Sequence, residues 1–176
     1  MSTRTLLLSD VTPTDAARWA DLVDRALEPN PFLSPAYLLS AARWLARTAG
    51  ILLLVVERGD RMIALLPLSR DEKFHGTPLR YATTAGAFLK DDAPLCAPLV
   101  DEEHAATALD HLLTFLADRR NGLPPLVELT LLPGEGALND ALHAACSRAR
   151  VPVLERSRFE RAVLDRGSTA LLHATP

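Results

Sequence analysis

The stretch EPNPFLSPAY at residues 28–37 constrains this chain more than any other, because Pro29, Pro31 and Pro35 forbid one helix from running through it. A proline lacks the amide that a helix interior needs, and it pushes the residue before it out of the helical region. The chain on either side nevertheless reads as helix. In residues 12–27, TPTDAARWADLVDRAL, Thr12 suits the N-cap, Pro13 the first helical position and Asp15 the first turn. Ala16, Trp19, Leu22, Val23, Ala26 and Leu27 then recur at helical spacing. Ser34 and Pro35 repeat the cap-and-proline start for a second helix, which Gly50 closes. Asn30-Pro31-Phe32 becomes a stiff bridge between two helices, with Phe32 expected to plug the angle between them.

The rest of the chain alternates. Residues 3–11 read as a strand. ILLLVVER (51–58) and RMIALLPLSR (61–70) flank Gly59-Asp60, a two-residue turn with glycine first, which fits a type II′ hairpin. Pro67 argues for a strand end or a sheet edge. Residues 79–86 predict a further strand, and 89–100 a loop with a short extended piece. Residues 101–122 predict a helix with acids first, arginines last and Asn121-Gly122 at its close. Residues 126–132 predict a buried strand, 136–150 a helix and 151–165 one bent strand or two. The order is β-α-α-β-β-β-α-β-α-β, a mixed α/β sheet flanked by helices in a single domain over residues 1–176.

Among 176 residues the net charge is −3, so no basic stripe invites nucleic acid. The paired arginines (Arg119-Arg120, Arg148/Arg150, Arg156/Arg158) are scattered beside acids and read as solvated surface. Cys96 and Cys146 lie far apart in apolar contexts, as buried small hydrophobes. The N-terminal leucine run is too short for a signal core, and no apolar stretch has the length of a membrane span. A cytoplasmic protein is the expectation.

Few residues offer chemistry. The histidines are dispersed, and neither an i, i+3/i+4 pair nor an HExxH arrangement marks a metal site. His75, in a polar loop beside the hairpin, is the candidate general base; the alternative is an ordinary loop histidine. Asp91-Asp92 are adjacent and would point to opposite faces of a strand. Asp101-Glu102-Glu103 read as charge at a helix start. Trp19 and Trp44 read as core. Gly134 and Gly136 follow a strand and open a helix, which makes them the candidate phosphate-binding turn, although Glu135 between them would repel an anion. The alternative is a plain glycine turn.

Asn30-Pro31-Phe32-Leu33-Ser34-Pro35-Ala36-Tyr37, the glycine-turn hairpin closing on ALLPLSR, LVELTLLPG at 126–134 and FERAVL at 159–164 together resemble the N-terminal half of CelD/BcsL-type acyltransferases. These belong to the GNAT (acyl-CoA N-acyltransferase) superfamily, and the resemblance runs from about residue 5 to about residue 170. It implies a GNAT-like half of a tandem architecture and acyl transfer from acyl-CoA, the cosubstrate, to an amine or hydroxyl. The setting it implies is polysaccharide or cell-envelope biosynthesis; separately, the histidine spacing leads to the expectation of no metal. In this family the CoA contacts typically come from the second half, so the partner implied is a second GNAT-like half or another copy of the chain. The alternative role is a non-catalytic module that packs on a catalytic half. Such a half should expose an apolar patch, expected around residues 159–164.

Overall fold

The computed structural model describes residues 1–44, 50–71, 73–84 and 93–160. The end of the second predicted helix (45–49), residues 85–86 of a predicted strand, Asp91-Asp92, and residues 161–165 lie outside the described residues.

The strands are β1 (Ser2–Leu7), β2 (Leu52–Arg58), β3 (Arg61–Asp71), β4 (Tyr81–Thr83), β5 (Leu99–Val100) and β6 (Leu126–Glu128). The helices are α1 (Pro13–Asp24), α2 (Pro35–Trp44), α3 (Ala105–Ala117) and α4 (Ala137–Ala149). The sheet runs β1-β2-β3-β4-β6, with β5 also on β3. Its pairs are antiparallel except β4 with β6, which are parallel. The architecture is mixed α/β, as expected.

The run LLLVV in β2 is apolar on both faces because both faces are covered. Leu53 and Val55 join the core beneath α1 and α2, with Trp19, Leu22, Leu33 and Leu38. Leu54 and Val56 join the opposite core, with Leu109 and Leu112 of α3 and Ala145 of α4. Along β3 the alternation slips. Val56 pairs with Ala64 and Glu57 with Met62, so Ile63 is an extra residue. This bulge puts Ile63 and Ala64 in the same core. The hairpin closes as expected, with Arg58 opposite Arg61 and Gly59 at φ 60. Pro67 is not at a strand end. It lies inside β3 opposite Leu53, at the point where the other side of β3 changes partner from β5 (Ala64, Leu65) to β4 (Ser69–Asp71). Among the described residues no strand there asks for its missing amide.

At the start of α1, Thr12 and Asp15 form a capping box: Asp15 N donates to Thr12 Oγ1, and Thr12 N donates to Asp15 Oδ2. The proline bridge is a short 3-10 turn, Pro31–Leu33. That turn carries Leu33, not Phe32, into the core. Leu33 is fully buried and accepts a 2.8 Å hydrogen bond from Trp19 Nε1 through its carbonyl. Phe32 is half-buried and stands edge-on to Tyr37. Asn30, itself buried, ties the bridge to the carbonyl of Ala97 at 2.8 Å. Ser34 caps α2 by accepting from Tyr37 N. Trp44 departs from expectation. It is 79% exposed beneath the Arg43 guanidinium, because six residues from Leu38 is roughly 240° around a helix and off the buried stripe.

Two C-terminal expectations also fail. The strand predicted over 126–132 stops at Glu128 and is only half-buried. Thr130 N turns to Thr84 Oγ1, and Leu131 adopts φ 51, so the chain leaves the sheet. Residues 151–160 form no strand. Pro152 supplies no amide, and Arg158 closes on nearby Glu155 instead of a neighbouring strand.

Candidate functional site

In open α/β sheets, ligand crevices form at the carboxyl ends of parallel strands. Here those ends belong to β4 and β6, where Thr83 pairs with Glu128. Thr84, fully buried, holds the two strands together just beyond, through Glu128 O and the Thr130 hydroxyl.

Glu128 is the hub of this end. Its Oε1 lies 2.8 Å from His75 Nε2 and 3.4 Å from Arg156 Nε. Its Oε2 accepts from the Thr83 hydroxyl at 3.5 Å. The glutamate side chain is 15% exposed and the histidine 42%. His75 sits in a tight 3-10 turn, Phe74–Gly76, closed by hydrogen bonds from Thr77 N to Phe74 O and from Phe74 N to Leu79 O. Its backbone is left-handed, φ 46 and ψ 44. Phe74 packs edge-on against both the His75 and Tyr81 rings. Burial first, then the charges of Asp71 and Glu128, push the Tyr81 phenol above its ordinary value, so it stays a neutral hydroxyl. Sequence reasoning pointed to His75 but missed its partner. The signal was there: Glu128 is the one acid in LVELTLL.

Gly134 and Gly136 lie after β6, at the start of α4, and their neighbours are Arg158 and Glu28 instead of His75. Leu138 N, in the first turn of α4, donates to Glu28 Oε1 at 2.9 Å. A Cβ on Gly136 would stand 2.5 Å from that oxygen, and φ 111 favours glycine there as well. The Glu28 carboxylate occupies the place where an incoming phosphate oxygen would meet this amide.

A second charged cluster joins α1, β3 and the start of α3. Asp101 is buried, and its Oδ2 pairs with Arg25 Nη1 and lies 3.9 Å from Arg61. Its Oδ1 accepts from His104 N and faces His104 Nδ1 at 2.9 Å. Arg58 meets the other ring nitrogen of His104. Arginine only donates, so Nε2 accepts and Nδ1 carries the proton toward Asp101. Asp101, Glu103 and His104 have atoms close enough to share a cation. However, Asp101 and His104 are already engaged by Arg25 and Arg58, so the cluster is built as an ion network. It lines a shallow cavity of about 260 Å³ with Asp24, Arg25, Arg61, Glu102 and Glu103. Backbone bonds reinforce it, from Leu27 N to Val100 O and from Glu102 N to Arg25 O.

The remaining expectations sort plainly. Cys96 and Cys146 are buried, and burial pushes the Cys146 thiol up. Arg120, Arg148, Arg156 and Arg158 pair with Asp118, Asp110, Glu128 and Glu155. Among the described residues no helix is long and apolar enough to cross a membrane.

No family model and no curated protein matches the sequence. Solved structures do align. One is an aminoglycoside 6'-N-acetyltransferase of Acinetobacter haemolyticus, at 15% identity and TM-score 0.48, covering 94% of this chain and 100% of that one. Another is an aminoglycoside 6'-N-acetyltransferase of Acinetobacter baumannii, at 15% identity and TM-score 0.49, covering 93% and 100%. A Trypanosoma brucei acetyltransferase aligns at 18% identity and TM-score 0.48, covering 93% and 98%. The chain is similar to these acetyltransferases, and the similarity does not extend to what they act on.

Proposed function

We propose that this chain works in acyl transfer from acyl-CoA to an amine or hydroxyl acceptor, as the half that frames the acceptor while a second GNAT-like half holds the CoA. The acyl-transfer part rests on the motif resemblance to CelD/BcsL-type acyltransferases and on the mixed order of elements. Polysaccharide or cell-envelope biosynthesis is the setting that resemblance implies.

One observation carries the division of labour. A CoA pyrophosphate is held by free amides at a helix N-terminus. Each of the four described α-helices has a first-turn or capping amide already serving one of the chain's own side chains. Asp15 N of α1 donates to Thr12, Tyr37 N of α2 to Ser34, His104 N before α3 to Asp101, and Leu138 N of α4 to Glu28. At α3 and α4 that side chain is a carboxylate, which would repel a phosphate.

The partner half would cover the C-terminal side of the sheet. β6 pairs on one side only among the described residues. Val153, Leu154 and Phe159 are exposed in the segment that follows α4. A free-thiol release assay tests the proposal, using acetyl-CoA with a panel of amines and sugar hydroxyls. The chain alone should release no CoA above background, and adding a CoA-binding half of the same family should produce acceptor-dependent release. Robust turnover by the chain alone would overturn the division of labour.

A further inference from the structure

The geometry points to His75 and Glu128 as a proton-accepting pair that serves the acceptor amine or hydroxyl, an inference that rests on the acyl-transfer reading above. Three independent observations converge on His75. First, its Nε2 is 2.8 Å from a glutamate oxygen whose side chain is only 15% exposed. In the neutral ring a carboxylate neighbour, which only accepts, places the proton on Nε2 and the lone pair on Nδ1. Second, the described contacts of the ring use Nε2 and the faces and edges of Phe74 and Tyr81, which leaves Nδ1 available on a side chain 42% exposed. Third, the backbone is left-handed at φ 46, a conformation that costs a residue with a Cβ free energy and that asparagine or glycine would adopt more cheaply. A histidine held there by aromatic packing and a carboxylate is oriented, not merely exposed.

The charged and titratable groups around the ring come from each element packed on it. Glu128 is on β6 and Tyr81 on β4, while Arg156 reaches Glu128 from the segment after α4. Asp71, on β3, acts through Tyr81. When Nδ1 takes a proton, the ring becomes a cation with Glu128 already against it, which is how a carboxylate supports a histidine base. In the transfer, the acceptor nitrogen or oxygen forms a bond to the thioester carbonyl carbon. Its proton passes to Nδ1. The carbon–sulfur bond breaks, its electron pair leaves on the thiolate, and that thiolate takes the proton back from His75.

The test needs neither CoA nor the natural acceptor. With p-nitrophenyl acetate, an oriented imidazole base releases p-nitrophenolate by attack at the carbonyl or by activating water. The intact chain should hydrolyse this ester faster than an equal concentration of free imidazole. His75→Asn, chosen because asparagine tolerates the left-handed backbone, should lower the protein-dependent rate at least tenfold. Glu128→Ala should fall between the two, and the exposed His143→Asn should match the parent. Diethyl pyrocarbonate should modify His75 before His143 in the parent and lose that preference in Glu128→Ala. Unchanged ester hydrolysis in a folded His75→Asn, with no preferential modification, overturns the pair. Loss of the ester activity with no acyl transfer in any reconstitution would leave the pair standing and overturn the acyl-CoA reading instead.

Discussion

Thr12 and Asp15 exchange hydrogen bonds at the head of α1, and Arg4 reaches the same carboxylate at 2.7 Å from β1. The Thr12 hydroxyl first, and then Arg4, hold the Asp15 carboxyl below its usual range, against the opposing effect of burial. Its folded pKa therefore lies below its unfolded one. The stability it contributes is present above about pH 4 and is lost as pH falls through the folded value. Thr12→Ala should cost about 1 kcal/mol near neutrality and make the acid side of the stability curve shallower, measured by urea unfolding at stepped pH. This cap was readable in the sequence because its partners are three residues apart. The plug of the proline bridge was not. The pattern favoured aromatic Phe32, but a 3-10 turn advances each residue differently from an α-helix and delivers Leu33 to the core. Leu33→Ala should destabilise the chain by about 3 kcal/mol, and Phe32→Ala by distinctly less, read as the shift in denaturation midpoint.

The four α-helices and the hairpin were readable in kind because periodicity, caps and a glycine turn are local signals, but α3 is shorter than its predicted span of 101–122, running from Ala105 to Ala117. What failed depends on contacts distant in sequence. The length of β6 is decided at Thr130, whose amide goes to Thr84, and residues 151–160 needed a neighbouring strand that the described chain does not supply. The joint between α1 and α3 was equally hidden. Asp101-Glu102-Glu103 looked like ordinary helix-start charge, yet Asp101 is 1% exposed and locked to Arg25 from the end of α1. Removing one member of a buried pair leaves the other's charge uncompensated. Arg25→Met should therefore cost about 3 kcal/mol, or a fall of about 10 °C in Tm by calorimetry. A double variant that also replaces Asp101 with a small apolar residue should recover part of that loss.

The candidate site was half readable across the whole chain: His75 stood out as a loop histidine, whereas Glu128 and Glu28 act on residues 53 and 110 positions away. Those separations explain why the glycine turn at Gly134 and Gly136 could be read as phosphate-binding from local sequence while Glu28 faces its amide in the folded chain. With β6 paired on one side only among the described residues, and Val153, Leu154 and Phe159 exposed, the chain should self-associate at high concentration when no partner half is present. Leu154→Lys with Phe159→Ser should shift sedimentation toward monomer. The most direct test of the acceptor-side role is calorimetric titration of the purified chain with acetyl-CoA at low ionic strength. No saturable heat is expected up to millimolar ligand, because the described helix starts are already engaged by Thr12, Ser34, Asp101 and Glu28. Saturable, stoichiometric binding that free CoA competes away would contradict it and make this chain the donor-binding half.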